Sequence, residues 1–268
     1  MKHPQIRLVA ADLDGTLLDA DKLIAPATLQ AISQLPGRGI PFVIASARPP
    51  RSVRHIYQKL QLDTLQINYN GALIWDEPRQ MVIEHSPLAG AVVLEIIRFA
   101  RHLDQRILVT CEILDQWHTD RLDNTYTTAT GALFQPDVIA PVESFCGGAV
   151  TKLLLLGPAD AISPLRPQIA QRFVDQINIV STDPELLQIM EKRVSKAAAL
   201  RRLVREYNVP LENVLAIGDG ENDMEMLQEC GVGVAVANAA PALKLIANWV
   251  TSSPDSLGVL EALRKYLG

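Results

Sequence analysis

Short apolar runs alternate with helix-like segments at both ends of the chain, and this alternation restricts the fold more than any other pattern in the sequence. Near the N-terminus, the runs IRLVAADLD and IPFVIASARPP are each followed by a helical pattern, and NVLAIGDG and VGVAVANA repeat the arrangement near the C-terminus. Uninterrupted apolar runs of this length are typical of strands buried on both faces. Because strands that alternate with helices form parallel sheets covered by those helices, the sequence predicts an α/β fold with a doubly wound parallel sheet.

The middle of the chain has a different pattern. Between about residue 83 and residue 188, strand-like segments are grouped together with intervening helical stretches. Such grouping favours an α+β arrangement, and a chain of 268 residues is long enough for two domains. We therefore expect a core formed by residues 1–82 and 189–268, with residues 83–188 as an inserted α+β cap domain.

Composition argues against several classes of protein. The formal net charge is −5, whereas a general nucleic-acid binder carries a basic face. The three cysteines lack the spacing of a zinc site, and no apolar segment reaches the length of a membrane span. We expect a cytoplasmic protein with no nucleic-acid or membrane partner, and the sequence leaves its oligomeric state open.

Acidic, hydroxyl and amide side chains gather where the predicted strands end. In an open parallel sheet, ligands bind beyond the carboxyl ends of the strands. The residues at these ends are Asp12, Asp14, Ser46, Asp219, Asn222 and Asp223. Because residues i and i+2 of an extended segment point the same way, the first two carboxylates would repel each other unless a cation lay nearby.

A hard cation accounts for this concentration of acids. Oxygen ligands without histidine or cysteine favour Mg²⁺, which commonly also binds phosphate. Asp219 and Asp223 are four residues apart, so a helix beginning after Gly220 would carry both near one face. A carboxylate beside the ion can attack phosphorus, and a second carboxylate can transfer protons. Ser46 and the Ala47 amide could donate hydrogen bonds to phosphoryl oxygens.

Five segments, in this order, resemble the motifs of the haloacid dehalogenase-like (HAD) phosphatases. They are DLDGTLLD, IASARP, NYNGALI, RVSKAAAL and IGDGENDMEML. They are most similar to the Cof-type subgroup (class IIB), whose large cap is inserted between the second and third motifs. The resemblance implies a Rossmann-like HAD core and a Mg²⁺-dependent phosphatase. Its substrate would be a small phosphorylated metabolite, hydrolysed through an aspartyl-phosphate.

The resemblance also implies roles for individual residues. Asp12 corresponds to the nucleophile, which is also a Mg²⁺ ligand. Asp14 corresponds to the general acid/base, with its carbonyl on the metal, and Asp219 to a further metal ligand. The phosphate contacts would come from the Leu13 amide, Ser46, Ala47, Lys196 and Asn222, and Asp223 would support the site. Two departures are visible in one motif, because Ser46-Ala47-Arg48 stands where the family more often has Thr-Gly-Arg.

Other interpretations stay open at this point. A phosphomutase or phosphotransferase would use the same aspartyl-phosphate, and a phospho-receiver module also clusters acids and a lysine around Mg²⁺. Ser46 could only cap the following helix, since serine is a favoured N-cap. Asn70-Gly71 could be only a turn, and the role of Arg48 is left open.

Overall fold

The computed structural model describes residues 5–123, 125–126 and 131–268. In chain order, the strands within these ranges are β1 (Leu8–Ala11), β2 (Phe42–Ile44), β3 (Leu65–Asn68), β4 (Leu73–Asp76), β5 (Met81–His85), β6 (Leu88–Ala89), β7 (Leu108–Ile113), β8 (Gln116–Thr119), β9 (Val138–Ile139), β10 (Ala149–Val150), β11 (Lys152–Leu156), β12 (Ile177–Asp183), β13 (Leu186–Glu191), β14 (Val214–Gly218), β15 (Val232–Ala235) and β16 (Trp249–Val250). The α-helices are α1 (Pro26–Ser33), α2 (Pro50–Leu60), α3 (Gly90–Leu103), α4 (Ala159–Arg172), α5 (Lys196–Glu206), α6 (Met224–Glu229), α7 (Pro241–Ile246) and α8 (Asp255–Leu267).

The chain divides into two compact units. The first contains residues 1–83 and 195–268, and the second contains residues 84–194. Ile83, which the sequence assigned to the cap, therefore belongs to the first unit, and residues 189–194, which it assigned to the core, belong to the second. The physical reason is that β13 continues through residue 188 and ends only at Glu191.

The first unit is built on a five-stranded parallel sheet in the order β16-β15-β14-β1-β2. β1 lies between β2, which comes next in the chain, and β14, which comes from the other end. Such a reversal of strand order is where an open α/β sheet binds its ligands. The predicted α/β class with a parallel sheet core is confirmed.

Helix α2 of the first unit buries one apolar face. In α2, the buried residues include Val53, Ile56, Tyr57 and Leu60, which recur at helical spacing. In α5, Ser195 is the N-cap, and its hydroxyl accepts a hydrogen bond from the Ala198 amide. This cap fixes the residue at which α5 begins.

The second unit contains a six-stranded sheet in the order β12-β13-β11-β7-β8-β9. Its strands are antiparallel except for the parallel pair β8 and β9. Buried residues of α3 and α4 form one core with alternate residues of these strands, such as Val109, Leu153 and Ile189. Among the described residues, no helix combines the length and the apolarity that crossing a membrane requires. The three cysteines are buried free thiols.

Candidate active site

Three carboxylates meet where the neighbouring strands β1 and β14 end. Asp12 follows β1 directly and Asp219 follows β14, so the parallel register places them side by side. One oxygen from each of Asp12, Asp219 and Asp223 lies within 4.8 Å of the others. Asp12 is only 7% exposed. Burial raises the pKa of Asp12 well above its usual value; Lys196 opposes this effect, and the neighbouring carboxylates add to it.

Lys196 is the counter-charge of this cluster. It is the first residue of α5, and its side chain is completely buried. Its Nζ donates to Asp12 Oδ1 at 2.6 Å and to Asp223 Oδ1 at 2.7 Å. Burial alone would lower the pKa of Lys196, but Asp12 and Asp223 together raise it above its usual value. The lysine is therefore held as a buried cation between two acids.

Asp223 is fixed on both of its oxygens. Oδ1 accepts from Lys196, and Oδ2 accepts from the backbone amides of Asp219 (3.1 Å) and Gly220 (3.0 Å). The sequence predicts an α-helix that carries Asp219 and Asp223 near one face, and this prediction is wrong. Asp219 precedes a short 3₁₀ turn, Glu221–Asp223, and α6 begins only at Met224. The two carboxylates approach because Asp223 folds back to bind the amides at the end of β14.

Asp219 is also held by the loop after β1. The Thr16 hydroxyl donates to Asp219 Oδ1 at 2.7 Å. Burial raises the pKa of Asp219, and the Thr16 hydrogen bond opposes this shift. Gly15 has φ +79°, and a Cβ at this position would lie 2.5 Å from Asp219 Oδ2. The glycine of DLDGT is therefore needed both for the turn and for the space beside Asp219.

Asp14 lies in a different environment from Asp12. Its side chain is 40% exposed, and its carboxylate accepts from Arg48 Nε at 2.7 Å and from Lys22 Nζ at 2.8 Å. Burial acts to raise the pKa of Asp14, but the hydrogen bonds from Arg48 and Lys22 outweigh it and hold the pKa below its usual value. The Asp14 carboxylate is not part of the three-carboxylate cluster, so any metal contact by this residue would use its backbone carbonyl, as the resemblance implies.

The loop after β2 brings Ser46 to the same edge of the sheet. Ser46 is 1% exposed, and its hydroxyl accepts from the Arg48 amide at 3.1 Å. The N-cap of α2 is Pro49 and not Ser46, so the interpretation of Ser46 as the helix cap is wrong. Ala47 is exposed. Leu13 packs its side chain into the core between the two aspartates of the first motif.

Asn222 contacts a residue whose role the sequence left open. Its Nδ2 donates to Asn70 Oδ1 at 3.0 Å. Sequence reasoning also did not assign Arg48 and Thr16 to the site, although both occur in the motifs. A signal for Thr16 was its position in the DLDGT segment. The Arg48–Asp14 pair had no local signal, because the two residues are far apart in the chain.

The donor set suits a hard divalent cation. The three clustered side chains offer only carboxylate oxygens. Gly15 packs so closely against Asp219 that a Cβ at position 15 would not fit. Mg²⁺ is the ordinary occupant of a site with few carboxylates and room for water and phosphate ligands. Asp12 and Asp219 are the residues that would hold it, because both oxygens of Asp223 already accept hydrogen bonds.

Known proteins are similar to nearly the whole length of this chain. The haloacid dehalogenase-like hydrolase family matches residues 9–263. A Streptococcus pyogenes protein with a provisional phosphatase name is 31% identical, over 98% of each chain. The 5-amino-6-(5-phospho-D-ribitylamino)uracil phosphatase YitU of Bacillus subtilis is 29% identical, over 97% of each chain. The crystal structure of a haloacid dehalogenase-like hydrolase from Bacteroides thetaiotaomicron has a TM-score of 0.86 at 25% identity, covering 97% of this chain and 99% of that one.

Proposed function

The chain belongs to the haloacid dehalogenase-like hydrolase family and is a phosphatase, and we propose that it hydrolyses phosphate monoesters of small metabolites through an aspartyl-phosphate at Asp12, with Mg²⁺ as cofactor. The observation that carries this proposal is the contrast between two carboxylates of one motif. Asp12 is buried against Lys196, whereas Asp14 is half-exposed and paired with Arg48. Asp12 lies in the cluster that could hold a metal, whereas Asp14 lies outside it at a more exposed position, so the two acids suit a nucleophile and a proton-transfer group.

Asp12 is the nucleophile in this mechanism. Its carboxylate attacks phosphorus, and the bond to the leaving oxygen breaks as the acyl-phosphate forms. Lys196 stabilises the negative charge on the phosphoryl oxygens from its buried position beside Asp12. Asp223 keeps Lys196 charged and directed toward the nucleophile. Bound Mg²⁺ would neutralise phosphoryl charge and orient the phosphate.

Asp14 transfers protons in both half-reactions. The negative charge of a phosphate bound beside Asp14 would raise the pKa of this carboxyl against the effect of Arg48 and Lys22, so that Asp14 carries the proton that it gives to the leaving oxygen. It then takes a proton from the water that hydrolyses the acyl-phosphate. Ser46, Asn222 and the amides of Leu13 and Ala47 bind the remaining phosphoryl oxygens. Arg48 and Lys22 hold the Asp14 carboxylate outside the metal cluster, where a leaving group can reach it.

The second unit is proposed to act as the cap that selects the substrate. The Bacillus subtilis relative is named for a phosphorylated ribitylamino pyrimidine. We place the substrate in the wider class of sugar phosphates, nucleotides and cofactor phosphates. Water is the acceptor in this proposal, so free phosphate and the dephosphorylated metabolite are the products.

Replacement of Asp12 tests the proposal directly. Asp12→Asn keeps the size of the side chain and removes the nucleophilic carboxylate, so phosphate release from p-nitrophenyl phosphate should fall by about a thousandfold or more. Asp63→Asn, which changes an exposed aspartate of the same unit, is the matched control and should retain activity. Activity of Asp12→Asn close to wild type would refute the assignment. A phosphomutase would instead yield isomers of the phosphorylated substrate without stoichiometric free phosphate.

A further inference from the structure

The turn Tyr69–Gly71 between β3 and β4 has an unfavourable backbone conformation, which the surrounding contacts must stabilise. Three consecutive residues have positive φ: Tyr69 at 50°, Asn70 at 55° and Gly71 at 105°. For residues other than glycine the left-handed region is costly, and asparagine tolerates it better than most. Such strain is commonly found where a functional site fixes the backbone.

This turn touches three of the loops that carry the candidate site. The Asn70 amide donates to the Ser46 carbonyl at 3.0 Å, and the Tyr69 amide donates to the Arg48 carbonyl at 3.3 Å. A Cβ on Gly71 would lie 2.2 Å from the carbonyl oxygen of Ser195, the residue before Lys196. The side chain of Asn70 reaches the third loop through Asn222. A turn used only to connect β3 to β4 would not need these contacts.

We infer that Asn70 is a positioning residue that orients the Asn222 carboxamide toward the phosphoryl group, an inference that rests on the proposed phosphatase function. A carboxamide nitrogen carries two hydrogens. One Asn222 N–H is directed at Asn70 Oδ1, over 3.0 Å. Because the amide group is planar, this bond fixes the direction of the second N–H. That hydrogen is the donor that Asn222 presents to a phosphoryl oxygen.

Asn70 is itself held rigidly enough for this task. It is 8% exposed, whereas Asn222 is exposed. Its backbone is tied to the Ser46 loop, so the distance between the Ser46 and Asn222 contacts is set through Asn70. The buried Asn70 thus sets the orientation of the exposed Asn222. The phosphate contacts of Ser46 and Asn222 keep a fixed spacing because both are tied to Asn70.

A double-mutant cycle on phosphate binding tests the inference. The variants of the full chain are Asn70→Gly, Asn222→Ala and the double variant, with inorganic phosphate titrated calorimetrically in the presence of Mg²⁺. Glycine accepts the left-handed backbone at position 70, so Asn70→Gly removes the acceptor without adding backbone strain. Gln61→Gly is the matched control, because Gln61 also has positive φ (54°) and is exposed at the end of α2.

Each single variant should weaken phosphate binding by about five- to tenfold, as loss of one oriented hydrogen bond to an anion would. The double variant should bind no more weakly than Asn222→Ala, since Asn70 acts through Asn222. Asn70→Gly should also raise KM for p-nitrophenyl phosphate by a similar factor and leave kcat within about twofold, because binding common to ground state and transition state is lost. Gln61→Gly should match wild type throughout.

Three results would overturn the inference: unchanged phosphate binding in Asn70→Gly, independent effects that multiply in the double variant, or a wild-type protein that binds no phosphate. Failure of the phosphatase proposal has a different signature. In that case the wild type would bind phosphate and show the coupling, yet release no phosphate from monoesters.

Discussion

Replacing Lys196 by methionine should destabilise the first unit by leaving two buried acids without their cation. The Lys196 side chain is fully buried, and its Nζ lies 2.6 Å from Asp12 and 2.7 Å from Asp223. Removing one partner of a buried ion pair costs about 3–5 kcal/mol. Asp223 keeps two backbone amide donors on its other oxygen, so we expect the lower end, about 3 kcal/mol.

Thermal unfolding is the measurement, and the expected loss corresponds to a fall in Tm of about 6–12 °C. Burial raises the pKa of Asp12. A carboxyl whose folded pKa lies above its unfolded value favours folding increasingly as pH falls through that range, because the folded state then takes up the proton more readily. The loss of Tm should therefore shrink as the pH falls through the range in which Asp12 takes up its proton, and should also shrink when Mg²⁺ is added.

Lys59→Met is the matched control, because Lys59 is an exposed lysine of α2. It should change stability by no more than about 0.5 kcal/mol. The reasoning would be refuted if Lys196→Met unfolded within about 2 °C of Lys59→Met with no dependence on pH, since such a shift corresponds to under 1 kcal/mol. In that case the buried acids would be satisfied by groups other than the lysine.

The remaining predictions concern the metal and the phosphate contact. Mg²⁺ at about a hundred times its Kd should stabilise the wild type and Asp63→Asn by about 2.7 kcal/mol, and a chelator should reverse this. Asp219→Asn should lose most of the effect, and an equal Mg²⁺-induced rise in Tm in all three proteins would exclude Asp219 as a ligand. Ser46→Ala should lower kcat/KM about tenfold and stability by about 1 kcal/mol, since the Arg48 amide loses its acceptor. Ser46→Thr keeps the hydroxyl and should retain activity, so equal losses in the two variants would show that the hydroxyl binds no phosphate.

The first unit could be predicted well because its signals are local. Apolar runs of four or five residues identify β1 and β14 directly, and the acids that end them follow from strand direction. The order of the five motifs then led to the family, and that resemblance is confirmed. The roles assigned to single residues remain proposals.

Features that depend on contacts between distant segments could not be predicted. Nothing near Asp14 in the sequence indicates that Arg48 pairs with it, because the contact exists only once β1 and β2 lie side by side. The short turn at Asp223 was missed for a related reason. Spacing alone suggests a helix face, whereas the observed conformation depends on the amides left unpaired at the end of β14.

The pairing of β1 with β14 has a consequence for biosynthesis. Residue 8 lies beside residue 214, so β1 gains its neighbour on that side only after a segment 206 residues further along has been synthesised. Contacts so distant in sequence form late, because the intervening segment must first be closed into a loop. During translation Asp12 is made well before Lys196 and Asp219, which follow it by 184 and 207 residues. The cluster of Asp12, Lys196 and Asp219 therefore cannot assemble in a nascent chain before Asp219 has been synthesised.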